Sequence, residues 1–172
     1  MTELRRPAPL ERKHDRTRLD SGAQGLDAWL REQSGQSDRA NRARTWVIAD
    51  VDYRVVAYMA MSATMIDGSK APKALQAGSL GEIPAILCGR LAVDQEYRRL
   101  GLGTTLVRLL LSKAAEVNQI AACRAVVVHA LDSEARAFWE RYGFEPFTSD
   151  PEERDLYLLT KDIEATLSRL LH

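Results

Sequence analysis

The sequence predicts an α/β domain with a mixed sheet, and three observations carry that prediction. Runs at 44–50, 53–64, 85–93 and 124–130 are rich in branched and apolar residues, as strands are. Segments at 20–33 and 104–117 repeat their apolar residues at helical spacing. The order is helix, two strands, then strand, helix, strand, helix, strand, which alternates only in its second half.

Each element has its own reason. In 20–33, "DSGAQGLDAWLREQ", Leu26, Trp29 and Leu30 fall at i, i+3 and i+4 and make one apolar face. Gly25 precedes that face, and "SGQSD" is expected to break the helix. Runs 44–50 and 53–64 read as strands joined by a tight turn. In the second, Val56, Tyr58, Ala60 and Ser62 alternate with Val55, Ala57, Met59 and Met61. Both sets are largely apolar, so cover on both faces is expected. Residues 66–83 mix Gly, Pro, Ser and Lys without a period and read as a loop. Run 85–93, "AILCGRLAV", is a strand of branched residues. The helix at 104–117 places Leu106, Leu110 and Ala114 in one row and Val107 and Leu111 in the next. Run 124–130 reads as a buried strand. Asp132 or Ser133 can cap a short helix over 133–142, and Gly143 stands where a left-handed residue ends one. "EPFT" and "DLYLLTKDI" read as closing strands, and 164–171 as a terminal helix.

At 172 residues the chain is expected to form one domain over 1–172, large enough for a core without metal or disulfide. Its two cysteines, Cys88 and Cys123, sit inside apolar runs and read as buried thiols of a reducing compartment. No His/Cys cluster has ligand spacing, so no metal is expected. No run approaches the ~18 apolar residues of a membrane span. The beginning is basic but lacks an apolar stretch, so no signal peptide is expected and a cytoplasmic location is the default.

Lysine and arginine number 24, and so do aspartate and glutamate, so bulk charge gives no support to a nucleic-acid partner. Local groups remain: Arg5, Arg6, Arg12, Lys13, Arg16 and Arg18; then Arg39, Arg42 and Arg44; then Arg90, Arg98 and Arg99. Their plain reading is solvated faces.

The chemistry concentrates at "RRLGLGT", Arg98 to Thr104, between a strand ending near Val93 and a helix starting near Gly103. The first turn of a helix offers N–H donors with no partner inside the helix, at its positive end. Gly101 and Gly103 lack Cβ, so an anion such as a diphosphate can approach the backbone. Arg98 and Arg99 add charge beside it. The spacing matches neither the dinucleotide fingerprint G-x-G-x-x-G nor the P-loop.

The pattern Arg-x-x-Gly-x-Gly, preceded by "GRLAVDQEY" and followed about 35 residues on by "ARAFWERYGF", resembles the GNAT superfamily of acyl-CoA-dependent N-acetyltransferases. The resemblance implies a mainly antiparallel sheet with a central parallel strand pair flanked by helices. It implies that Arg98, Arg99, Leu100, Gly101, Leu102, Gly103 and Thr104 hold the diphosphate of acetyl-CoA. Leu91, Ala92 and Val93 would then pair with the pantetheine arm, one N–H polarising the thioester carbonyl. The amine would attack directly, with no covalent acyl-enzyme.

One position departs from the family. In many of its enzymes a tyrosine in F/L-Y-x-x-x-G-F protonates the leaving thiolate. Here Trp139 holds that place, and indole has no phenolic proton to give. Tyr142, three residues on, is the candidate catalytic acid; its plain reading is a packed aromatic. His129 and Glu82 are weaker candidates for a base, His129 with a structural role as its alternative.

A narrower resemblance spans nearly the whole chain. "LDSGAQGLDAWLREQ" is similar to the F-x-C/S-G-x-x-x-L-D-x-F/W-L opening of the acetyltransferase toxins of bacterial toxin–antitoxin pairs, and the later segments follow in the same order. That resemblance implies acetyl transfer to the α-amine of aminoacyl-tRNA and a ribbon-helix-helix antitoxin as partner. It makes Arg90 a candidate substrate contact. The apolar helices allow a homodimer without requiring one. Two readings stay open beside it: transfer to another small-molecule or protein amine, and a weakened module that binds CoA or a partner. An adjacent ribbon-helix-helix gene would favour the toxin.

Overall fold

The computed structural model describes residues 3–170. Thirteen regular elements follow one another: β1 (Ala8–Pro9), α1 (Gln24–Glu32), α2 (Ser34–Arg39), β2 (Arg44–Ala49), β3 (Val55–Ile66), α3 (Lys73–Gln76), β4 (Ile83–Val93), α4 (Leu102–Ile120), β5 (Ala125–His129), α5 (Ser133–Glu140), β6 (Glu145–Pro146), β7 (Asp155–Leu159) and α6 (Ile163–Leu170). The strands run in the order β1-β2-β3-β4-β5-β7-β6. β4 and β5 are parallel, from Ala85↔Ala125 to Cys88↔Val128, while β1–β2, β2–β3, β5–β7 and β6–β7 are antiparallel. This is the mixed α/β sheet with a parallel pair that the sequence led one to expect.

The chain divides into two compact units. One takes in the described chain up to Ser62 together with Gly89–Leu109; the other takes in Ala63–Cys88 and the described chain from Leu110.

The first unit is built on α1. Trp29 and Leu30 are buried with Val47, Val55, Tyr58, Ala60 and Ala92, and Leu26 packs on them, so the i, i+3, i+4 face is the buried one. The Trp29 and Tyr58 rings stack 6.0 Å apart, and the Tyr58 hydroxyl donates to the Leu26 carbonyl at 2.6 Å. The first seven residues of β3 are all buried, as its doubly apolar pattern implied.

Two features go beyond the sequence reading. α1 does end before "SGQSD", but that segment then forms a second helix, α2. Gln33 breaks the first helix at φ −122°, and the fully buried Ser34 hydroxyl donates to the Leu30 carbonyl at 2.5 Å while Arg16 Nη1 donates to the Ser34 hydroxyl oxygen at 3.0 Å. The freed carbonyl is thus satisfied and the helix restarts. β1, absent from the sequence reading, pairs Ala8 with Val47 and Pro9 with Trp46, too short a segment to show a period.

In the second unit the segment read as a loop over 66–83 contains structure. The Asp67 carboxylate accepts from Ser69 N at 3.0 Å, and α3 carries the fully buried Leu75 into a core of Ile83, Ala85, Ala125, Val127, Tyr157 and Leu159. Gln76 Nε2 donates to the Gly68 carbonyl at 2.8 Å, and Arg124 Nη2 to that of Ala74 at 2.8 Å. Gly68 admits no side chain, since a Cβ would lie 2.1 Å from the Gly81 oxygen. The four residues before His129 on β5 are buried. Leu110, Leu111 and Ala114 of α4 are fully buried, and so are Leu106 and Val107 in the first unit's part of that helix. Cys88 and Cys123 are buried and form no disulfide, as expected. The terminal helix is α6; Leu171, included in the expected span, lies outside the described residues.

His14 in the first unit sets a pH dependence. Burial, with Lys13 and Arg5 nearby, holds it below the ordinary value of 6.5, and its Nδ1 accepts from Glu11 N at 2.9 Å, which requires the neutral ring. The unfolded chain therefore binds this proton first as pH falls, and stability is lost just below pH 6.5. Thermal midpoints measured between about pH 7 and about pH 5.5 should fall with acidification, and His14→Gln should flatten that slope.

Candidate functional site

The turn between β4 and α4 lies wholly in the first unit. After Val93, Asp94 caps a 3-10 turn over Gln95–Tyr97 by accepting from Glu96 N at 2.9 Å. Arg98 follows in extended conformation. Arg99 and Gly101 then take φ of 67° and 77°, on either side of Leu100. An alternation of hand is the backbone path that gathers N–H groups around an anion in nests. A Cβ built on Gly101 would meet nothing within 4 Å, so the space over the turn is open. The Thr105 N–H and hydroxyl donate to the Gly101 carbonyl at 3.0 and 3.1 Å and close the first turn of α4. α4 is 19 residues long, and its positive end faces this turn.

The residues singled out from sequence take the following places. Leu100 is exposed, Leu102 is buried, and Gly103 and Thr104 are half-buried in the first turn of α4. Leu91 and Val93 are half-buried and Ala92 is buried, all on β4 after the last residue registered with β5. Arg99 is exposed. Arg98 is not simply a charge beside the turn: its Nη2 donates to the Ser21 carbonyl at 2.7 Å. Arg90 lays its guanidinium over the Trp29 ring, 4.5 Å from the centroid. Of the second arginine group, Arg44 is held by Asp38 and Asn41, each at 2.7 Å.

The aromatic motif lies in the second unit. Asp132, not Ser133, caps α5, accepting from Ala135 N at 2.8 Å. At the other end Phe144 N donates to the Trp139 carbonyl at 3.4 Å and Gly143 N to that of Glu140 at 3.1 Å, with Gly143 at φ 89°. That pair of bonds is the Schellman cap, and the Trp139–Phe144 ring contact at 5.0 Å is its apolar clasp. Tyr142 is the residue just before the glycine. It is buried, its ring 5.1 Å from that of Phe138. His129 is the exposed last residue of β5, and its Nδ1 lies 2.8 Å from the Asp155 carboxylate of β7. Glu82 is exposed just before β4. Among the described residues no group of three or more His, Cys, Asp or Glu could hold a metal.

Reasoning from sequence missed Asp94. The carboxylate is 1% exposed and accepts from Asp20 N at 3.0 Å and Arg54 Nη2 at 3.2 Å as well as from Glu96 N. The signal was faint: one of two acids in a polar stretch, "VDQEYRR".

A family model described as an acetyltransferase (GNAT) domain matches residues 41–146, a span that includes both the turn and the aromatic motif. The chain belongs to the GNAT acetyltransferase family. A tRNA-acetylating toxin of Mycobacterium tuberculosis is 32% identical over 161 residues, covering 94% of this chain and 95% of that protein. Two solved structures share the fold. AtaT complexed with acetyl-methionyl-tRNAfMet superposes with a TM-score of 0.84 at 22% identity, covering 95% of this chain and 98% of that one. A mutant AtaT toxin bound to the C-terminus of the antitoxin AtaR and to acetyl-CoA gives 0.80 at 23% identity, covering 96% and 99%. In this GNAT chain, then, the matched span takes in both the left-handed turn before α4 and Trp139.

Proposed function

We propose that this GNAT chain is a toxin that transfers the acetyl group of acetyl-CoA to the α-amine of aminoacyl-tRNA and thereby blocks translation. The observation that carries the reading is the 32% identity to a tRNA-acetylating toxin along nearly the full length of both chains. In this reading the chain works as one acetyltransferase domain over 1–172, with a ribbon-helix-helix antitoxin as its partner and a homodimer as an assembly its apolar helices allow. No helix among the described residues is long and apolar enough to cross a membrane.

The residues present fit acetyl-CoA. The space over Gly101 admits phosphate oxygens, and the positive end of α4 with Arg98 and Arg99 supplies the charge they need. Leu100, Leu102, Gly103 and Thr104 complete the turn. Leu91, Ala92 and Val93 offer strand backbone to a pantetheine amide, and a backbone N–H there can donate to the thioester oxygen as charge develops on it. Acetyl-CoA supplies an activated acyl group. The acceptor amine forms the new C–N bond, the C–S bond breaks, and the amine gives up a proton. Tyr142 protonates the departing thiolate: phenol and thiol ionise in neighbouring ranges, so the transfer is inexpensive. Arg90 contacts the acceptor, and phosphate contacts of this kind make transfer fall with salt.

Radiolabelled acetyl-CoA incubated with charged and uncharged tRNA tests the reading; label should appear on charged tRNA alone. Label on neither, with acetyl-CoA binding intact, would transfer the activity to another amine. Tyr142→Phe should lower kcat by about 10²-fold or more with KM for acetyl-CoA little changed. An unchanged kcat would leave the proton to water. Gly103→Val should weaken acetyl-CoA binding at least about tenfold in a calorimetric titration, because in this reading a side chain in the first turn of α4 would crowd the approaching phosphate.

A further inference from the structure

The Asp20–Gly22 stretch opens the segment that resembles the toxins, yet the transfer reaction as described has no use for it. We infer that this stretch is a clasp on the diphosphate turn and that Asp94 is the positioning residue that locks it. The inference rests on the acetyl-CoA reading of the turn and concerns residues that touch no substrate.

The geometry lies within the first unit. Asp94 Oδ2 accepts from Asp20 N at 3.0 Å and Arg54 Nη2 at 3.2 Å, and Oδ1 from Glu96 N at 2.9 Å. One buried carboxylate thus fixes three groups from three separate stretches of chain. Three further bonds join the same two segments. Gln95 N donates to the Asp20 carbonyl at 2.9 Å, Gln95 Nε2 to Asp20 Oδ1 at 3.0 Å, and Arg98 Nη2 to the Ser21 carbonyl at 2.7 Å. Behind the clasp, the Ser21 hydroxyl donates to Asp27 Oδ1 at 2.6 Å and ties it to α1. Gly22 belongs to the fit. Its φ is +87°, and a Cβ there would lie 3.4 Å from Gln95 Cδ and 3.6 Å from Arg98 Nη2.

The physical need is plain. Arg99 holds φ 67°, a conformation that a residue with a side chain keeps only when its surroundings dictate it. α4 secures the turn from behind, and the clasp secures Asp94 through Arg98 in front. A turn already shaped for the diphosphate avoids paying its ordering entropy on binding. Arg98 serves here as a strut through one nitrogen, so its loss changes geometry as well as charge.

The test separates positioning from general folding. Acetyl-CoA affinity is measured by calorimetry, and kcat/KM on charged tRNA is measured with acetyl-CoA and with S-acetyl-pantetheine, which has no diphosphate. Asp94→Asn keeps the shape but cannot accept from all three donors. It should weaken acetyl-CoA binding about tenfold, with kcat at saturation and kcat/KM for S-acetyl-pantetheine within about twofold of the parent. The exposed Gln95→Ala, a milder lesion whose folding is checked by thermal melting, should weaken it about threefold with the same split. Unchanged acetyl-CoA affinity in both variants overturns the clasp. Equal losses with both donors overturn it too, since they mark a fold defect. Acetyl-CoA binding by the parent without transfer to charged tRNA would sink the acceptor assignment alone, and the calorimetric comparison would still decide the clasp.

Discussion

The site depends on one constraint: the chain must leave β4 and enter α4 through a turn that is left-handed at Arg99 and again at Gly101. Glycine takes that conformation freely, whereas a residue with Cβ loses about 1–2 kcal/mol in it. The cost at Arg99 has to be met by what lies on either side. Behind the turn, Leu102, Leu106 and Val107 are buried, so the apolar rows of α4 do more than fill a core. They hold the helix where its N–H groups and positive end meet the turn. In front, β4 ends at Val93, and the next residue's Asp94 N donates to the Val56 carbonyl at 2.8 Å, which fixes the direction in which the chain leaves the strand.

The Asp94–Arg54 pair is an unusual way to hold a fold together. Burying two charges has a desolvation cost that apolar residues of similar volume avoid. Removing one partner of such a pair nevertheless costs about 3–5 kcal/mol, because the other is left uncompensated. What a carboxylate supplies and an apolar side chain cannot is direction. Asp94 receives three donors along set lines. Asp50 does similar work one layer back, accepting from Asp52 N and Arg54 N at 2.9 Å each, and so shapes the turn that presents Arg54. Two aspartates therefore place one arginine, and that arginine helps to place the entry to the turn before α4.

The parts of the fold legible in the sequence were those with a local cause. The rows of α4, the face of α1 and the two apolar sets of β3 each repeat within one element, so period alone reveals them. Gly143 was legible because a left-handed helix end has few alternatives to glycine. What stayed hidden depended on distant partners. α2 needs the Arg16 guanidinium on Ser34, and the structure within 66–83 needs Arg124 on the carbonyls of α3. At the candidate site, Gly101 could be read from its motif, while Asp94 could not, since its donors come from residues 20 and 54. Arg98 was seen as charge; its bond to the Ser21 carbonyl, 77 residues away, was not visible.

The aromatic motif shows why a substitution at a catalytic-looking position can leave the fold untouched. Position 139 has a structural task of its own, as the apolar partner of Phe144 in the cap that ends α5. That task asks for a flat, large, apolar body, which indole provides as well as phenol does. The spacing to Gly143 and Phe144 is set by the cap's hydrogen bonds, so the motif's shape survives whichever aromatic residue fills the place. The phenolic proton is a separate requirement, and the cap does not impose it. Tyr142, the acid proposed here, sits just before the left-handed glycine, where the two cap bonds fix its backbone and the Phe138 ring packs against its side chain. A phenol held there does not need α5 to continue, so the proposed acid can stand three residues beyond Trp139 without disturbing the helix that carries it.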